Sequence, residues 1–234
     1  MTENSFVKEN LQAVQERMEN ACIAAGRPVD AVQLLAVTKT VEPAYINEAI
    51  ACGVTQIGEN RVQEYLGKRD ALHLSGVKTH LIGHLQTNKV KSIVGAVDMI
   101  QSVDSLHLAQ AIDKASTACG VRTDVLVEVN IGREPQKSGV LPEELPALLE
   151  DLASLSGISV CGMMTVPPIL EKEYEKRKIF SEMYQLFIDN SAKKIDNIDM
   201  HILSMGMSGD YYEAILEGAT IVRIGTAIFG HRHY

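Results

Sequence analysis

The chain has 234 residues, 46% hydrophobic and 22% charged, a globular balance with enough apolar mass for one large core. A net charge of −8, no tryptophan and only 5% aromatic residues argue against capture of nucleic acid by charge or by base stacking. Four cysteines without a C-x-x-C pair, no apolar run near 18 residues and no leader pattern predict a cytoplasmic protein with no membrane span.

Val7, Leu11, Val14, Met18 and Cys22 fall on one helical face, and Gly26 and Pro28 stop the pattern, so residues 1–25 predict a flanking helix. Strand patterns follow near 33–39, 55–59, 79–84, 97–103, 124–131, 158–166, 201–205 and 220–225, with helical patterns between them. Pro43 opens one helix and Gly53 ends it; Pro142 opens another, with Leu145, Leu148, Leu149 and Leu152 on its apolar face. Ile179, Met183, Leu186 and Phe187 mark a long helix, and Asp210 with Glu213 suggests a capped start to the last one, closed by Gly218. The runs from Asp124 to Asn130 and from Thr220 to Ile224 are apolar on both faces, as parallel strands covered on both sides are. Eight strand–helix units predict a single α/β domain over residues 1–234, a (β/α)8 TIM barrel. The competing open doubly wound sheet lacks its glycine-rich loop after the first strand.

A barrel of this kind builds its site at the C-terminal strand ends. Lys39 ends the first strand, where its stem is packed and its amine faces a pocket. Partial desolvation makes the neutral, nucleophilic amine accessible, as a Schiff-base lysine requires; a snorkelling lysine is the alternative. Glycines and hydroxyls follow strands seven and eight: Ser204 and Gly206, then Gly225 and Thr226. They fit either an anion cradle or two tight turns. Arg223 lies within strand eight and needs a partner, either Glu59 or Glu128 in an ion pair or a ligand acceptor. His84 is a pocket acid/base or a strand-end hydrogen bonder. The tail His231-Arg232-His233 reads as a frayed end rather than a metal site. Lys39, an anion turn and Arg223 together describe pyridoxal 5′-phosphate (PLP), with one imine, one phosphate grip and one ring contact.

At these residues the sequence resembles the pyridoxal phosphate homeostasis proteins over nearly its whole length. The resemblance is carried by Leu35–Lys39, Gly58–Glu64, His80–Lys89, Lys137–Gly139, Gly162–Thr165, Ser204–Ser208 and Val222–Gly230. It implies a barrel like the N-terminal domain of alanine racemases, with PLP held as an internal aldimine on Lys39. It also implies phosphate contacts from Ser204, Gly225 and Thr226, and Arg223 facing the pyridine nitrogen. Asn60, Met163 and Met205 would belong to the pocket. The implied function is that of a PLP carrier in vitamin B6 and amino-acid homeostasis, without strong catalysis and with PLP-dependent apoenzymes as possible acceptors. A fold-type III amino-acid racemase or lyase is the alternative, and it requires a second acid/base such as His84. The N-terminal helix is the candidate docking element for protein partners.

Overall fold

A computed structural model describes residues 6–193 and 195–230; the tail histidines singled out above lie outside them. Eight parallel strands close in sequence order into a barrel: β1 (Gln33–Val37), β2 (Gln56–Glu59), β3 (Lys78–Leu81), β4 (Met99–Val103), β5 (Thr123–Glu128), β6 (Ile158–Met164), β7 (Ile198–Ser204) and β8 (Ile221–Ile224). The seam is β1 on β8, with Gln33 opposite Ile221 and Ala36 opposite Ile224. The predicted TIM barrel is the fold observed.

Strand alternation sorts the side chains into two layers. Ala36, Ile57, Leu81, Ile100, Val125, Val127, Leu203 and Val222 join the large cluster between strands and helices. Met99, Leu126, Cys161 and Met164 form a separate small cluster inside the barrel. A shift of register near Gly162, between β6 and β7, sets Met163 into the outer layer and Met164 into the inner one.

The helices are α1 (Phe6–Ala24), α2 (Pro43–Ala51), α3 (Val62–Lys68), α4 (Val90–Ile93), α5 (Leu106–Cys119), α6 (Leu145–Leu152), α7 (Glu173–Ser191), α8 (Tyr211–Leu216) and α9 (Thr226–Phe229). Every residue of the predicted α1 face is buried. α1 lies behind the last two units: Asn10 Nδ2 donates to Ile228 O at 3.0 Å and Arg27 Nη1 to Ile215 O at 2.8 Å. Its buried apolar face is therefore committed to the barrel, and its exposed side carries polar residues together with Phe6 and Ile23.

Several boundaries differ from the sequence expectation. Pro142 stands ahead of α6, and Pro146 occupies the first turn instead. Asp210 precedes α8 without capping it; its Oδ1 accepts from the Met207 N–H at 2.6 Å and so braces the preceding loop. A further helix, α9, follows β8, where the sequence suggested none. Among the described residues, no helix is long and apolar enough to cross a membrane.

Candidate functional site

A cavity of about 690 Å³ opens at the C-terminal ends of β1, β2 and β8 and the loop after β7. Lys39, Asn60, Arg223, Gly225 and Thr226 line it, together with Met207, Ser208 and Gly209. These residues lie far apart in sequence and meet because neighbouring parallel strands all end at one face.

Lys39 sits two residues past β1 and is half-buried. The peptide groups on both sides of it are held from behind the barrel wall. Lys68 Nζ, on α3, donates to Thr38 O at 2.7 Å, and Glu64 accepts from the Thr40 N–H. Lys68 also pairs with Glu64 at 3.0 Å and with the fully buried Glu59 at 2.8 Å, and Glu59 accepts from the Thr38 hydroxyl. Thr40 has φ 61°, a left-handed conformation that a β-branched residue adopts only when its surroundings impose it. The chain therefore turns sharply just after the lysine. Burial pushes the Glu59 carboxyl above its ordinary value, against the pull of Lys68 and Thr38, and its Oε2 is buried without a hydrogen-bond partner among the described residues.

The opposite end of the cavity is formed by the loops after β7 and β8, which carry glycines and hydroxyl side chains. The loop after β7 turns at Gly206, whose φ is +94° and where a Cβ would lie 2.6 Å from the Ala214 Cβ. Ser208 Oγ accepts from the backbone N–H groups of Gly225 and Ala227, both at 3.3 Å. With two acceptor positions used, its own proton is left to donate into the cavity. Thr226 beside it is exposed and begins α9.

Arg223 closes the inner wall and is 3% exposed. Its Nη1 donates to Ser204 Oγ and its Nη2 to Thr165 O, each at 2.7 Å. Burial pushes its pKa down to about 10, with Glu128 and Asp210 opposing, so it remains a cation at neutral pH. Neither expected ion pair forms: Glu59 is taken by Lys68, and Glu128 acts on Arg223 only as a nearby charge. Glu128 itself is buried, and burial together with the charge of Asp104 pushes it up to about 7.

Met163, Met205, Ser204 and His84 do not line this cavity. Met163 and Met205 belong to the outer core, Met163 because of the register shift near Gly162, and both are fully buried. Ser204 faces inward but is fully buried, and its hydroxyl is engaged by Arg223 and Gln101 rather than open to an anion. A hydroxyl on the cavity wall comes instead from the half-buried Ser208, four residues on. His84 lies in a different, open depression, 56% exposed, with its Nδ1 3.5 Å from Asp104 Oδ2.

The alanine racemase N-terminal domain family matches residues 7–233. A pyridoxal phosphate homeostasis protein of Aquifex aeolicus is 45% identical over 97% of this chain and 98% of its own. The chain belongs to the pyridoxal phosphate homeostasis protein family. Among solved structures, a Bifidobacterium adolescentis protein is 37% identical with a TM-score of 0.92, covering 96% of this chain and 94% of its own. PipY of Synechococcus elongatus, solved with PLP bound, is 33% identical with a TM-score of 0.80, covering 93% of this chain and 100% of its own.

Two outcomes follow from the site's electrostatics. Lys68→Met strands a buried carboxylate at Glu59 and should lower unfolding free energy by about 3 kcal/mol in urea titrations, more at pH 8 than at pH 5; Glu59→Gln in the same chain should recover part of it. Glu128 binds its proton more tightly folded than unfolded, so between pH 4.5 and about 7 its contribution to stability falls as pH rises. Glu128→Gln should therefore stabilise the protein at pH 8, by up to about 3 kcal/mol, and have little effect at pH 4.5.

Proposed function

We propose that the chain binds PLP in this cavity, linked covalently to Lys39, and serves as a carrier in intracellular PLP and amino-acid homeostasis without strong catalysis. The observation that carries the reading is the placing of one lysine, one anion cradle and one buried arginine on the walls of a single cavity of about 690 Å³. Membership of the family and the PLP-bound PipY structure support it. When bound, PLP supplies an aldehyde that condenses with an amine, a ring that withdraws electrons, and a phosphate.

The chain's own residues divide that work. Lys39 would hold the cofactor through its aldehyde, for which its amine must be in the neutral, nucleophilic form. Ser208, Thr226 and Gly225 receive the phosphate: hydroxyl protons from the first two, and room for close approach from the third. Arg223 would donate a hydrogen bond to the ring nitrogen and keep its own proton, because its pKa lies far above that of a pyridine. A ring nitrogen left without a proton is a poor electron sink, and this argues for holding the cofactor rather than for rapid carbanion chemistry. The racemase or lyase alternative needs acid and base on opposite faces of a substrate carbon. His84, the second group offered for that role, stands in the other depression. PLP-dependent apoenzymes are the acceptors this role implies. The free cysteines Cys22, Cys52, Cys119 and Cys161 favour a cytoplasmic site of action.

Purified protein mixed with PLP should show an absorbance band near the visible edge, and Lys39→Ala should abolish it. Borohydride reduction followed by peptide mass spectrometry should place the label on Lys39; a label on any other lysine would remove the assignment.

A further inference from the structure

Four buried side chains cross the barrel interior in one hydrogen-bonded line that ends on Arg223. Arg223 Nη1 donates to Ser204 Oγ, Ser204 Oγ donates to Gln101 Oε1, and Gln101 Nε2 meets His80 Nδ1, each at 2.7 Å. The four come from β8, β7, β4 and β3. Ser204 and Gln101 are fully buried, and His80 and Arg223 are 3% exposed.

The direction of this line follows from counting donors and acceptors. A guanidinium has no acceptor, so Arg223 must donate to Ser204. The single Ser204 proton goes to the Gln101 amide oxygen at 2.7 Å, its acceptor among the described residues. The amide nitrogen is thereby turned toward His80, where it can only donate, so Nδ1 must hold a lone pair. His80 is consequently neutral with its proton on Nε2. Burial pushes its pKa down to about 4, which agrees.

The line also explains how Arg223 is held without losing charge. Both of its anchors, Ser204 Oγ and Thr165 O, are neutral, and no carboxylate among the described residues forms an ion pair with it. Thr165 is itself fixed, its hydroxyl donating to Val129 O at 2.7 Å. Two of the five guanidinium N–H groups are used in this way, and Arg223 is also one of the residues that line the cavity.

We propose that Gln101 is a positioning residue for Arg223: by accepting from Ser204 and donating to His80 in its Nε2–H form, it fixes the guanidinium orientation presented to a ligand. The consequence for ligand binding rests on the PLP reading above; the protonation pattern does not.

The first test uses ligand-free protein. Nitrogen-15 NMR of the histidine side chains, with His80 assigned by loss of its signals in His80→Gln, should show an unprotonated Nδ1 and a protonated Nε2 at neutral pH. The reverse tautomer, or an imidazolium, overturns the proposal. The second test compares PLP binding and absorbance. Gln101→Leu frees the Ser204 hydroxyl and should weaken PLP about tenfold and move the absorbance maximum. Gln101→Glu, which still accepts from Ser204, should restore affinity to within about twofold while shifting the His80 proton to Nδ1. Unchanged affinity and spectrum in Gln101→Leu, with its circular dichroism intact, would overturn the positioning role. If the unaltered protein takes up no PLP, the carrier reading fails instead, and the tautomer result still decides the line itself.

Discussion

The ammonium of Lys68 gathers three oxygens behind the barrel wall, and the position of Lys39 depends on that knot. It takes the carbonyl of Thr38 and the carboxylates of Glu59 and Glu64, while Glu64 takes the N–H of Thr40. Both peptide units flanking Lys39 are thus tied to α3, whose place is fixed by packing on β2. A lysine stem has four rotatable bonds and much entropy to lose. Fixing its Cα and the sharp turn after it confines the amine to one mouth of the barrel. The cluster is costly in desolvation, as the raised Glu59 carboxyl shows. Its return is positional.

The same division recurs across the cavity. Polar groups one layer away from the mouth hold the groups that face it. Asp210 braces Met207, Ser208 receives two backbone N–H groups from the start of α9, and the Gln101–Ser204 line holds Arg223. α1 then packs behind α8 and α9: Asn10 ties it to α9, and Arg27, just past its end, ties the chain to α8. The cavity wall is therefore prepared before any ligand arrives, and binding need not order it.

Much of this could be read from the amino acids. Two-faced apolar runs gave the parallel strands, and a lysine or arginine at a strand end is conspicuous because burial there requires a reason. Arg223 was legible as a cation needing a partner, though not which partner. Ser208 gives no sequence signal of its own, because the path of the chain beyond β7 depends on the turn at Gly206 and on Asp210, which holds the loop rather than capping α8. Met163 was misplaced because the register shift near Gly162 decides which of two adjacent methionines faces inward. Gln101 and His80 carried no local signal at all. They read as ordinary strand residues, and only closure of the barrel brings β4 and β3 into line with β7 and β8.

A crystal structure of the protein grown with PLP tests the central claim most directly. Continuous electron density from Lys39 Nζ to the ligand, with the phosphate against Ser208 and Thr226 and the ring nitrogen facing Arg223, is the predicted result. Ligand density at another lysine, or a phosphate placed away from the loops after β7 and β8, would contradict it.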